Sequence, residues 1–203
     1  MFKKVTLILL VLAAALLTVV ATRPNTLHVD RKQVLAAPPA VVFALVNDFQ
    51  KWAAWSPWEK LDPSMQKKYE GAPSGVGASY YWLGNDKVGE GRMTILESVP
   101  GERIRIKLEF IKPWEGTNAT TFTFAPRGEE TEVTWAMDGP ATFMTKLFSL
   151  VADMDGMIGK DFEKGLGQMK AVAEAEAKRQ VQARATAATV APPAGLEVAP
   201  AAQ

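Results

Sequence analysis

Residue types that carry covalent or metal chemistry are scarce in this chain. Its 203 residues include no cysteine and one histidine, His28. Disulfides, thiolate nucleophiles, iron–sulfur clusters and cysteine-based zinc sites are therefore excluded. His28 stands a few residues beyond an apolar N-terminal segment, far in sequence from any plausible catalytic partner. Neither a Ser-His-Asp triad nor a His-rich metal centre is expected, and no metal or cofactor is assigned. What remains is proton transfer by tyrosine and carboxylate. Tyr80, Tyr81 and Glu97 lie on strand-like sequence, one face of which must turn inward; Asp153, Asp155, Asp161 and Glu163 lie on helical sequence. Each could act as a general acid or base only if buried beside a cavity. For the four helical acids, which flank an apolar stripe, a solvated helix face is the simpler expectation. Gly75-Val76-Gly77 and Gly89-Glu90-Gly91 lack the following helix that a phosphate loop requires.

The apolar residues carry a stronger pattern. From Pro140 to about Arg179 the residues Phe143, Leu147, Leu150, Met154, Ile158, Phe162, Leu166 and Met169 recur at steps of three or four, which predicts one long amphipathic helix. Gly156, Gly159, Gly165 and Gly167 fall within it, each costing about 1 kcal/mol relative to alanine. They would either press the helix against a neighbour, leave room for a ligand, or break it near Gly156 into a leading and a main helix.

Strand patterns precede that helix. Leu27–Leu35 alternates imperfectly, and Ala36-Ala37-Pro38-Pro39 then opens a short helix over Val41–Val46. Trp52–Trp58 reads as a second short helix; its three tryptophans would form a lid over a cavity mouth, an aromatic platform for sugars or lipid headgroups, or aromatic cover for the short helices. Strands are predicted over Gln66–Glu70, Ala78–Leu83, Gly91–Glu97, Glu102–Ile111, Thr117–Phe124 and Thr131–Asp138. In the fourth of these, Ile104, Ile106, Leu108 and Phe110 alternate with Arg103, Arg105, Lys107 and Glu109, as in an antiparallel sheet with one wet face. The expected fold is thus α+β: a seven-stranded curved antiparallel sheet wrapped around a long C-terminal helix, with two short helices after the first strand.

The N-terminus is separate. Lys3 and Lys4 precede an apolar run from Val5 to Ala21 that holds eleven Val, Leu or Ile residues and no charge. As a helix it spans about 25 Å, close to a hydrocarbon core of about 30 Å. Membrane insertion would gain roughly 3 to 7 kcal/mol. The run exceeds the usual cleavable core, which favours a retained single-pass anchor over a cleaved signal peptide. The folded part is then expected on the extracytoplasmic, periplasmic side. Expected divisions are 1–23 (anchor or signal), 24–180 (folded domain) and 181–203 (disordered tail rich in Ala and Pro). The net charge of +1 and the pairing of basic with acidic residues argue against a nucleic-acid partner.

The order of elements resembles the helix-grip fold of START-type lipid-transfer domains and pollen-allergen-like proteins. The stretches APPAVVFALVNDFQKWAAWSPWEKLDP, GVGASYYWLGN, VGEGRMTILESVP, IRIKLEFIKP, TEVTWAMDG and MDGMIGKDFEKGLGQMK are similar to the bacterial SRPBCC group, often labelled polyketide cyclase/dehydrase. The likeness covers roughly Val29 to Ala175. It implies a cavity between sheet and helix, but no catalytic motif common to the group, so no catalytic residue is assigned. The apolar N-terminus is not part of the shared domain. Residues expected to contact an apolar small molecule or lipid are Tyr80, Trp82, Met93, Ile106, Leu108, Phe110, Phe122, Phe124, Trp135, Met154, Ile158 and Phe162, since such sites are mostly apolar. Direct packing of the same residues into a core is the competing expectation. Three roles follow: a membrane-tethered binding module, a cyclase- or dehydratase-type enzyme on an apolar substrate, or an interaction domain whose interior is filled by side chains.

Overall fold

A computed structural model describes residues 2–190. The elements in chain order are α1 (Phe2–Ala21), β1 (Thr26–Leu35), α2 (Pro39–Val46), a 3-10 helix (Phe49–Ala54), β2 (Gln66–Gly71), β3 (Ala78–Leu83), β4 (Glu90–Val99), β5 (Arg103–Lys112), β6 (Gly116–Arg127), β7 (Glu130–Pro140), α3 (Phe143–Phe148) and α4 (Met154–Val190). All strands join one antiparallel sheet in the order β1-β7-β6-β5-β4-β3-β2. β2 to β7 is a meander of short connections. The α2 segment carries the chain from the β1 edge to the opposite edge at β2.

Local chemistry accounts for the elements. Pro39 opens α2, where its missing N–H is no loss. Asp48 caps the 3-10 helix by accepting from the Gln50 N–H at 2.9 Å. The tight β4–β5 and β6–β7 turns use Gly101 (φ 70°) and Gly128 (φ 65°), in the left-handed region that side chains disfavour. β4 carries a bulge between Ile95 and Glu97, which throws Leu96 onto the surface and bends the sheet.

The C-terminal stripe is two helices, not one. It breaks over residues 149–153, and Asp153 restarts it by accepting from the Gly156 N–H at 2.9 Å. Only the second half of the stripe is closed off from solvent: Phe162, Leu166, Met169 and Ala173 are buried, at steps of four, three and four. α4 also runs to Val190, so the 181–190 part of the expected tail continues the helix; residues 191–203 lie outside the described ones.

Register defines two ends of the sheet. The start of β1 (Thr26↔Pro140), the end of β7, the β5–β6 loop and the β3–β4 loop lie at the end where α1 joins. The β2–β3, β4–β5 and β6–β7 turns lie at the other. α1 is long and apolar enough to cross a membrane. Most of it stands exposed, Val20 is buried, and α3 lies against it.

Candidate functional site

The inward face of the sheet carries Ala78, Tyr80 and Trp82 of β3, Met93 and Ile95 of β4, Ile104, Ile106, Leu108 and Phe110 of β5, Phe122 and Phe124 of β6, and Val133, Trp135 and Met137 of β7. Its middle is closed by aromatic rings. Trp135 stacks on Phe162 of α4 at 4.2 Å and 7°. Phe122, Trp55 and Trp58 surround Trp135 at 4.9, 5.6 and 5.6 Å, and Trp52 meets Trp55 at 4.6 Å. Trp52 and Trp55 donate their indole N–H groups to Val46 O and Leu45 O, each at 3.0 Å, satisfying the last carbonyls of α2. These tryptophans therefore act as cover for the short helices rather than as a lid. Trp135 Nε1 and Gln168 Oε1 are buried without a hydrogen-bond partner in the protein.

Glycine lets α4 approach this stack. A Cβ at Gly165 would stand 2.7 Å from the Trp135 ring and 3.1 Å from Pro57, and one at Gly159 would strike the Arg31 guanidinium. Two of the helical glycines are thus close-approach positions. Arg31 sits in the inward register of β1 opposite Trp135. All five of its N–H groups are used: on Asp155 Oδ1 and Oδ2 (3.1 and 2.9 Å), Asp155 O (3.1 Å), Glu163 Oε1 (2.9 Å) and Asp30 O (2.7 Å). The guanidinium holds Asp155 below the usual carboxylate range, and the two acids raise Arg31 further. Of the four helical acids, Asp155 and Glu163 latch α4 to β1 and Asp153 caps it, which leaves none of these three in a general acid–base geometry.

The tyrosines separate by strand parity. Tyr80 points inward, where its hydroxyl donates to Glu59 Oε1 at 2.8 Å and Lys67 pairs with the other carboxylate oxygen. Burial, then the Glu59 charge, push the Tyr80 phenol far up, so it stays protonated. Tyr81 points outward and donates to Glu90 at 2.7 Å; Glu97 also lies on the outer face, on Arg103 at 2.6 Å. The sequence did not signal Glu59, which meets Tyr80 only through the fold. Arg31 did carry a signal: alternation places it on the face of Val29 and Leu35.

Eight of the twelve expected contact residues (Tyr80, Trp82, Met93, Ile106, Phe122, Phe124, Trp135 and Phe162) are buried in this packing. The other four are not. Leu108, Met154 and Ile158 are partly exposed and Phe110 is 38% exposed. Leu108 and Phe110 occupy the end of β5 nearest α1, level with Asn118 and Gly116 of β6, and Met154 and Ile158 open α4. Two surface concavities lie elsewhere. One of about 240 Å³ sits between the 3-10 helix and the β2–β3 edge, with Phe49, Tyr69 and Pro73 in its wall. A shallow one of about 710 Å³ lies over β5, β6 and the end of β7, bounded by Leu96, Arg105, Lys107 and Asp138. Neither falls between the sheet and α4.

Comparison with solved structures gives the same architecture. A protein from Chromobacterium violaceum superposes with a TM-score of 0.52 at 25% identity, over 75% of this chain and 99% of its own. The Aha1 dimer from Colwellia psychrerythraea gives 0.53 at 13%, over 73% and 96%. The di-domain ARO/CYC StfQ from the steffimycin biosynthetic pathway gives 0.57 at 14%, over 76% and 52%. The last two are likenesses of fold. No curated protein matches the chain. Residues 26–174, from the first residue of β1 well into α4, match the family described as polyketide cyclase / dehydrase and lipid transport. With that match over most of its length and a seven-stranded helix-grip sheet beneath it, the chain belongs to this family, carrying ahead of the shared domain an apolar helix that lies outside the match.

Proposed function

We propose that the protein is a membrane-tethered module that binds an apolar small molecule or lipid at the α1-proximal end of its concave sheet face. The observation that carries this reading is the uneven cover of that face. Aromatic packing closes its middle, whereas Leu108 and Phe110 keep apolar surface open at the α1 end, and Met154 and Ile158 stay partly exposed at the start of α4. The family's description as lipid transport supports the ligand class. The buried, unpartnered Trp135 N–H supports a ligand with one acceptor group reaching past the open end, because such a donor is costly to leave unpaired. α1 supports the tether: it is uncharged from Val5 onward and preceded by Lys3 and Lys4. In this reading the folded domain faces the periplasm.

The test is native mass spectrometry with lipid extraction on the full chain purified in detergent. An apolar mass that co-purifies with the chain and is lost in Leu108→Asp supports the module. Absence of bound mass, with no binding of a fluorescent fatty acid, rejects it. A second reading is favoured by one observation, the 4.2 Å stack of Trp135 on Phe162: a tethered interaction domain whose interior is filled by its own rings. The same experiment separates the two.

A further inference from the structure

The helix α3 is apolar yet packs poorly. Four of its six residues, Phe143, Met144, Leu147 and Phe148, are apolar, and none of the six, all among the described residues, is buried. Met144 is 66% exposed and Phe148 49%; Val151, just beyond, is 85% exposed. Six residues are too few to hold a helix in water without a packed face. A second exposed apolar group stands at the same end of the sheet. The β5–β6 loop carries Trp114 at 82% exposure, next to Ile111 and Phe110. Register fixes this coincidence, because the end of β5, the start of β6 and the end of β7 all lie at the end where α1 joins β1.

The position of α1 indicates what covers these groups. α3 lies against α1. Lys146 of α3 donates to Asn25 Oδ1 at 2.5 Å, which ties α3 to the segment joining α1 to β1. Thr142 caps α3 by accepting from the Thr145 N–H at 3.2 Å, so the helix is oriented by its own turn as well as by α1. A patch of this extent on a water-facing surface marks an interaction site, and tryptophan beside apolar residues suits the boundary between headgroups and acyl chains.

We infer that α3 and the Trp114 loop lie in the headgroup–acyl boundary of the bilayer that α1 spans, and so seat the open end of the concave face against the membrane. This rests on the anchoring reading of α1. The absence of cysteine allows single reporters to be placed without background. Nitroxide labels at Phe148→Cys, Val151→Cys and Trp114→Cys in the full chain are read in phosphatidylethanolamine/phosphatidylglycerol vesicles. Leu9→Cys serves as the reference within α1, and Glu129→Cys as the reference on the β6–β7 turn at the far end. The readout is the ratio of oxygen to nickel-chelate collision rates. The expected result is a ratio at 148, 151 and 114 several-fold above that at 129 and approaching that at 9. Ratios at 148, 151 and 114 equal to that at 129, with 9 in lipid, overturn the inference and leave the anchor standing. A water-exposed reading at 9 removes the anchor and the inference together. Dipolar broadening between labels at 148 puts a second copy of the chain on this face instead and also overturns it. All five substituted residues are exposed, so a thermal melt suffices to show that the fold is retained.

Discussion

The middle and the α1 end of one concave surface contrast in how they are built. Around Trp135 aromatic rings close in, Phe162 above, Phe122 beside it, Trp55 and Trp58 at the flank, with Gly165 admitting the helix, and only the indole N–H is left without a partner in the protein. Around Leu108 and Phe110 the strand pattern is the same but the cover is thin, because α4 packs mainly against β1 and α2 rather than over the end of β5. The middle holds α4 in place, and the α1 end has surface to spare. The difference teaches that a pattern of inward-facing residues specifies a face, whereas the partner element decides whether that face becomes core or site.

The contrast can be broken most sharply at its closed side. Trp135→Ala is expected to cost about 3–5 kcal/mol, as for large aromatic truncations in cores, measured by denaturant unfolding. A loss below about 1 kcal/mol would show that the stack is not structural. Gly165→Ala tests the approach of α4 directly. A methyl 2.7 Å from the Trp135 ring is expected to cost about 1–3 kcal/mol by overpacking, and an unchanged melt would mean that the helix has slack there. Phe110→Ala at the open side is expected to cost about 1 kcal/mol or less, since much of the ring is already wet. On the binding reading it should lower retention of the bound apolar mass, which reverses the order of the two regions when the readout changes from stability to ligand.

The smallest effect concerns the outer face at the α1 end. His28 bonds Asp138 at 2.7 Å across β1 and β7 and lies 3.4 Å from Asp30, and the hydrogen bond to Asp138 raises its pKa in the folded state. Its contribution is therefore fully present below about 6.5, its ordinary value, and lost as pH rises through the higher folded-state value. A slight fall in melting temperature across that window, absent in His28→Gln, is expected. The groups are solvent-exposed, so the effect is small.

Much of the fold was legible because the strands alternate. Ile104, Ile106, Leu108 and Phe110 marked β5 within a residue of its bounds, and Pro38-Pro39 marked the start of α2. The division of the C-terminal stripe was harder to read, since Leu147, Leu150 and Met154 keep helical spacing straight through the break; the Asp153 cap that restarts α4 shows only in three dimensions. The site was less legible than the fold. Spacing places Phe110 and Phe122 on one face equally well, and their different exposure depends on where α4 and the tryptophans come to rest. Glu59 and Tyr80 are 21 residues apart and meet through loop geometry that periodicity does not encode.

Thr22–Asn25 are all that separate α1 from β1. Four residues reach at most about 14 Å when fully extended, comparable to the radius of gyration of about 15 Å expected for a domain of some 150 residues. With α1 held in a bilayer, so short a leash rules out ferrying cargo across an aqueous compartment. On the tethered binding reading, whatever the domain takes up or gives away comes close to its own leaflet, by lateral diffusion or by the docking of a second carrier that does the travelling.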